Sequence, residues 1–176
     1  MAFAISLKAV NDTADPIRTL WQEVAQFESR PSMVALGYPP HLTLAVYDDI
    51  PPVQASTVLR EAFAGRPALR LTFTRLRFFD APLVLWAEPS PSADLTHAHV
   101  RVHACIDPRL CYPHYRPGVW VPHCTLGTQI LLKYRAEALA FAARPIAAFE
   151  VVFDVVDFVS VAPVVIMAEQ PLDRPG

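Results

Sequence analysis

The chain has 176 residues, 53% hydrophobic and 18% charged, which is apolar mass enough for one filled domain and too little charge for disorder. A net charge of −2 speaks against a protein that coats long nucleic acid by releasing counterions. No apolar run reaches the roughly 18 residues of a membrane helix and no basic leader opens the chain, so a cytoplasmic protein with three reduced cysteines is expected.

In chain order, residues 2–10 read as a strand. Asp15-Pro16 then offers an N-cap followed by a first-turn proline, and Ile17, Leu20, Trp21, Val24 and Phe27 make a helical stripe to about residue 28. A proline-containing loop over 32–40 leads to a strand over 41–47, which ends at Asp48-Asp49 and Pro51-Pro52. A helix over 53–64 stops at Gly65, and 69–79 alternates as a half-buried strand. After a turn at Ala81-Pro82 come a strand over 83–87, a helix over 92–106 and a long irregular loop over 107–121. A strand over 123–128, an Ala-rich helix over 133–143, and two strands over 149–161 and 164–172 forming a hairpin complete the chain.

One short pattern occurs twice. Pro40-His41-Leu42-Thr43-Leu44 returns 82 positions later as Pro122-His123-Cys124-Thr125-Leu126. Alternate strand side chains share a face, so His41 and Thr43 look into one space while Leu42 and Leu44 look into the core. His123 and Thr125 do the same, with Cys124 behind them as a small buried apolar residue. The same offset superposes the other elements, giving β-α-β-α-β twice with one strand over. The expected fold is α+β and bilobal: a single domain over 1–176, its lobes near 1–80 and 83–172, related by a pseudo-twofold axis about a central cleft.

Displacement at phosphorus needs one group to take a proton from the attacking oxygen and another to give one to the leaving oxygen. Histidine serves both roles near neutrality, and two hydroxyls beside it can hold the non-bridging oxygens. No cofactor and no metal is called for. His99 and His103 stand four apart on the predicted helix, but with no third ligand in view they are expected to be solvated or capping. Asp48-Asp49 suits a turn as well as it suits a carboxylate that orients a histidine. Trp21 and Trp86 are expected to pack within core stripes.

The two motifs, and the approach Tyr115-Arg116-Pro117-Gly118-Val119-Trp120-Val121 to the second, resemble the paired His-x-Thr/Ser motifs of the two-histidine (2H) phosphoesterase superfamily. That superfamily includes RNA 2′,3′-cyclic phosphodiesterases and the 2′-5′ RNA ligase-like proteins. The resemblance implies His41 and His123 as the acid–base pair, with Thr43 and Thr125 binding phosphate. Which histidine is the base depends on the substrate and the direction of reaction. Relatives often place an aromatic side chain against the substrate's base and a basic one near the phosphate, and Tyr115, Arg116 and Trp120 lie in the corresponding stretch. The implied substrate is an RNA end or a small cyclic-phosphate nucleotide, handled by a monomer without a membrane. Ligation to a 2′-5′ bond and a non-catalytic RNA- or nucleotide-binding module are the rival readings.

Overall fold

The structure, a computed structural model, describes residues 2–174. Its strands are β1 (Phe3–Lys8), β2 (His41–Tyr47), β3 (Leu69–Asp80), β4 (Leu83–Pro89), β5 (Cys124–Gly127), β6 (Phe149–Phe153), β7 (Val155–Val161) and β8 (Val164–Pro171). The helices are α1 (Asp15–Val24), α2 (Ser32–Ala35), α3 (Pro52–Phe63), α4 (Ala93–Cys105) and α5 (Arg135–Ala143). All strands join one antiparallel sheet in the order β6-β3-β4-β5-β2-β1-β7-β8. The motif strands β2 and β5 are neighbours at its centre.

The order reads as two mirrored sets about the β2–β5 seam, in which β1 answers β4 and β7 answers β3. The register repeats as well. A bulge interrupts β1 against β2 between Ile5 and Ser6, and another interrupts β4 against β5 between Leu85 and Trp86. Along the chain the repeats divide near residue 80, yet in the sheet they exchange strands. β3 pairs with β4 of the second repeat, and β7 pairs with β1 of the first. The helices cross over too, since α1 packs on β5 and α4 packs on β2. Each motif strand is therefore backed by the other repeat's helix.

Two strands, not one, lie outside the repeat, because the segment 149–161 does not form a single strand. It breaks at Asp154, whose N–H donates to the Lys8 carbonyl at 3.1 Å and whose carboxylate accepts from Val10 N–H at 2.9 Å. β6 thus pairs at one edge with β3, while β7 pairs with β1 near the other. One residue spans only about 3.8 Å from Cα to Cα, so the sheet curls until these two regions meet. The loop over 32–40 also holds a short helix, α2. The first helix is preceded by a 3₁₀ turn capped by Asn11, whose side chain accepts from Thr13 N–H, so Asp15 is a first-turn residue and not the cap.

Leu42, Leu44, Cys124 and Leu126 are fully buried towards the helices, each leucine contributing about 2 kcal/mol of burial. The opposite face at the seam stays open as a groove. Gly127 keeps α1 close to β5, because a Cβ there would lie 2.6 Å from Val24 Cγ1 and 3.0 Å from the Glu28 carboxyl. Gly127→Ala is expected to cost about 1–3 kcal/mol through forced displacement of α1, read as a lower midpoint in urea unfolding.

Candidate active site

β2 and β5 meet at one register pair, Leu42 opposite Cys124. Continuing that pairing one step each way sets His41 beside Thr125 and Thr43 beside His123. All four side chains line one pocket of about 410 Å³, with Tyr115, Arg30 and residues of α2 forming its walls. The geometry thus brings together His41, His123, Thr43, Thr125 and Tyr115. Arg116 is not brought there: its guanidinium donates to the backbone carbonyls of Cys111 and Arg109, both at 3.0 Å, and braces the loop. Arg30 is the single Arg or Lys among the pocket's lining residues. Sequence reading passed it over, since nothing marks a lone arginine before a loop.

The two imidazoles are held alike. His41 Nδ1 lies 2.9 Å from the Pro39 carbonyl and His123 Nδ1 lies 2.8 Å from the Val121 carbonyl. A carbonyl only accepts, so each Nδ1 carries the proton and each neutral ring keeps a bare Nε2. Burial pulls the His41 pKa down to about 4, the Pro39 carbonyl opposes this, and the neighbouring His123 lowers it further. His123 is also lowered by burial, against the pull of its own carbonyl partner.

Their surroundings differ. The Tyr38 ring meets His41 edge-on at 4.8 Å, and its hydroxyl donates to Asp157 at 2.7 Å. Asp157 in turn pairs with Lys8 at 3.0 Å, where both side chains are almost wholly buried. Burial disfavours charge on Lys8, but hydrogen bonds from its ammonium to Glu169 and Asp157 outweigh this and raise its pKa. His123 instead faces Phe79 at 5.5 Å and Trp86 at 5.8 Å, two rings stacked on each other.

Two tryptophans hold the motif backbones. Trp21 Nε1–H donates to the Thr125 carbonyl at 3.0 Å, and Trp120 Nε1–H donates to the Thr43 carbonyl at 3.1 Å. Trp21 therefore does more than pack. His99 stacks flat on Trp120 at 4.1 Å, and the Nε2 atoms of His99 and His103 share the Tyr115 carbonyl at 2.8 and 3.1 Å. This corrects the expectation of solvated or capping histidines: both are buried against the Trp120 and Tyr115 segment. The apolar character of the helix face they share was the available signal. Glu28, also buried, accepts from Ser32, Thr128 and Gln129 N–H at 3.0 Å each and ties the α2 wall to the end of β5. Among the described residues no three His, Cys, Asp or Glu side chains converge as a metal site. Among the same residues no helix is long and apolar enough to cross a membrane.

A groove built from two His-x-Thr strands across a pseudo-twofold seam defines a class, and comparison with known families agrees. The profile of the 2′-5′ RNA ligase superfamily matches residues 13–160, so the chain belongs to that superfamily, among the two-histidine phosphoesterases. Comparison with curated proteins finds no match. Among solved structures it is similar to E. coli LigT complexed with 3′-AMP, at a TM-score of 0.65 and 15% identity over 97% of each chain. A phosphoesterase crystal structure gives a TM-score of 0.63 at 15% identity over 98% of each chain. The protein TT0787 of Thermus thermophilus gives 0.61 at 14% identity over 100% of each chain. At these identities the likeness shows the fold.

His41 and His103 both have pKa values drawn to about 4 by burial, so the unfolded chain takes up protons that the folded chain refuses. Their stabilising effect is complete above the unfolded value of about 6.5 and is lost as pH falls towards 4. Thermal melts are expected to drop by several degrees between about pH 7.5 and 4.5, and His103→Gln should flatten part of that slope.

Proposed function

We propose that the chain is a metal-independent phosphoesterase that opens 2′,3′-cyclic phosphates of RNA ends or small nucleotides. The observation behind this is the pair of bare Nε2 atoms, each fixed by a carbonyl on the far nitrogen, lining one pocket with a threonine hydroxyl beside each. The nucleotides named in the LigT complexes, 3′-AMP among them, support a nucleotide as the ligand. Both motifs come from one chain, so a monomer suffices.

In this reading His41, the ring more strongly held neutral, is the base. Its Nε2 takes a proton from water as the water oxygen bonds to phosphorus. The bond from phosphorus to one ribose oxygen breaks, and a protonated His123 gives that oxygen its proton from Nε2. The product is a phosphomonoester, and proton exchange with solvent resets the pair. Thr43 and Thr125 hold the non-bridging oxygens as charge gathers on them, Arg30 offers a countercharge, and Tyr115 walls the substrate. A 5′-hydroxyl placed where the water sits, with the same pair, would form the 2′-5′ bond named by the superfamily.

Hydrolysis of 2′,3′-cyclic nucleotides in excess chelator tests this, and His41→Ala and His123→Ala should each lower kcat by about a hundred- to ten-thousandfold. Activity that requires added metal, or that survives both changes, would overturn it. The profile of kcat/KM against pH should be a bell on the acid side of neutrality, since it rises as His41 loses its proton above about pH 4 and falls as His123, also lowered, loses its own. Trp21→Phe and Trp120→Phe keep the aromatic bulk but remove the indole donor. Each is expected to cut kcat by about tenfold with KM nearly unchanged, as a threonine drifts from its place.

A further inference from the structure

A cavity larger than the one between the histidines lies close to it. Its volume is about 770 Å³, and it is bounded by the middle of β3 at its bulge, the end of β4, the start of α4 and the segment Trp120–Val121–Pro122 that runs into His123. Continuing the Ala87–Cys124 register one step sets Glu88 next to His123, and Arg75 pairs opposite Glu88 on β3. His123, Glu88 and Arg75 therefore form a row across three strands, about 10 Å long at the usual strand spacing. Glu88 is already held by Arg77 at 2.9 Å. Among the described residues Arg75 pairs with no carboxylate, and it lines the void as an exposed cation.

The opposite half of the groove places the matching charges in a different setting. By register, Lys8 answers Glu88 and Asp157 answers Arg77, since Lys8 lies opposite His41 and Asp157 lies opposite Ser6, the counterpart of Trp86. The same cross-strand ion pair is present with its signs exchanged. In the first half it is sealed by Tyr38 and Glu169, leaving Lys8 only 2% exposed and Asp157 0%. In the second half the pair is partly exposed, Arg77 at 47% and Glu88 at 32%, and Glu88 lines the void. A ligand longer than the pocket between the histidines can extend past Pro122 into this void.

We propose that this void is a subsite for the nucleotide next to the scissile phosphate, so that the substrate is an RNA strand and not a mononucleotide alone. This rests on the phosphoesterase reading. The prolines at 89, 91 and 122 and the Trp120 edge give flat apolar walls for a base, Ser90 and Thr96 give hydroxyls for the sugar, and Arg75 meets the next phosphate. The volume falls within the range of small-ligand sites, and a polar rim on apolar walls is their usual chemistry.

The test measures binding to the chain carrying both His41→Ala and His123→Ala, so that neither ligand turns over. The ligands are a fluorescent RNA tetranucleotide ending in a 2′,3′-cyclic phosphate and a cyclic mononucleotide as competitor. Arg75→Glu is expected to weaken the tetranucleotide by about tenfold and to lower its salt slope by about one, with the mononucleotide changed by less than about twofold. Ala93→Trp, on the exposed first residue of α4, should weaken the tetranucleotide by filling the void without altering charge. Equal loss for both ligands, no loss for the tetranucleotide, or a chain that binds neither, would overturn the subsite. Tetranucleotide binding that depends on Arg75 in a chain whose unsubstituted form hydrolyses neither ligand would sink the phosphoesterase reading and leave the subsite standing.

Discussion

One backbone pairing, Leu42 against Cys124, joins the two repeats at the centre of the sheet, and the site exists because of it. In an antiparallel pair the residues on either side of a matched couple also face each other. Two His-x-Thr strands docked in this register must therefore present two histidines on a diagonal and two threonines on the other diagonal, all on one face. A slip by a single residue would send one strand's set into the core and its leucines into the groove. The register is held by what lies behind it: four buried apolar side chains, and helices that each come from the opposite repeat. Exchange of strands and helices makes the halves interdependent, since neither can bury its motif strand alone.

Strand pairing fixes which side chains meet, but not the angle at which they are held, and a second set of contacts does that. Each Nδ1 is tied to a carbonyl two residues earlier, at Pro39 or Val121, so the proline just before each histidine shapes the turn that supplies the acceptor. The threonine carbonyls receive indole protons from Trp21 and Trp120. Past the single matched pair the β2–β5 ladder ends, and these donors satisfy groups that would otherwise lie unpaired at the seam. Glu28 plays the corresponding part at the pocket's rim, gathering the amides of Ser32, Thr128 and Gln129 onto one carboxylate.

The repeated motif, the strand of residues 41–47 and the order of elements were legible because they depend on local pattern and spacing. The helix starting after Ser92 was legible for the same reason: its hydroxyl caps Leu95 N–H at 3.2 Å. What escaped depends on long-range partners. Nothing near Asp154 announces that the chain must cross to β1 there, and nothing near Trp21 says that its nitrogen reaches a residue 104 positions away. Arg116 illustrates the opposite error. It lies in the segment that resembles relatives, but its guanidinium is taken up by two carbonyls of its own loop, those of Cys111 and Arg109. His99 and His103 were expected to be solvated or capping for want of a third ligand; their helix instead lays His99 on Trp120 and brings both rings to the Tyr115 carbonyl.

The departure from symmetry matters as much as the symmetry. Two identical halves would place equal histidines about a phosphate and give no reason for one to accept a proton while the other donates. Here the pairs Lys8–Asp157 and Glu88–Arg77 occupy matching sheet positions with charges reversed, so the field along the groove has a direction. The first is buried and capped by a tyrosine that also touches His41, which desolvates that ring and keeps it neutral. The second is partly exposed beside aromatic rings that flank His123. Burial of one pair and exposure of its counterpart thus give the two imidazoles different surroundings, and in the proposed reading that single difference in packing sets both the acid–base roles and the side on which a strand extends.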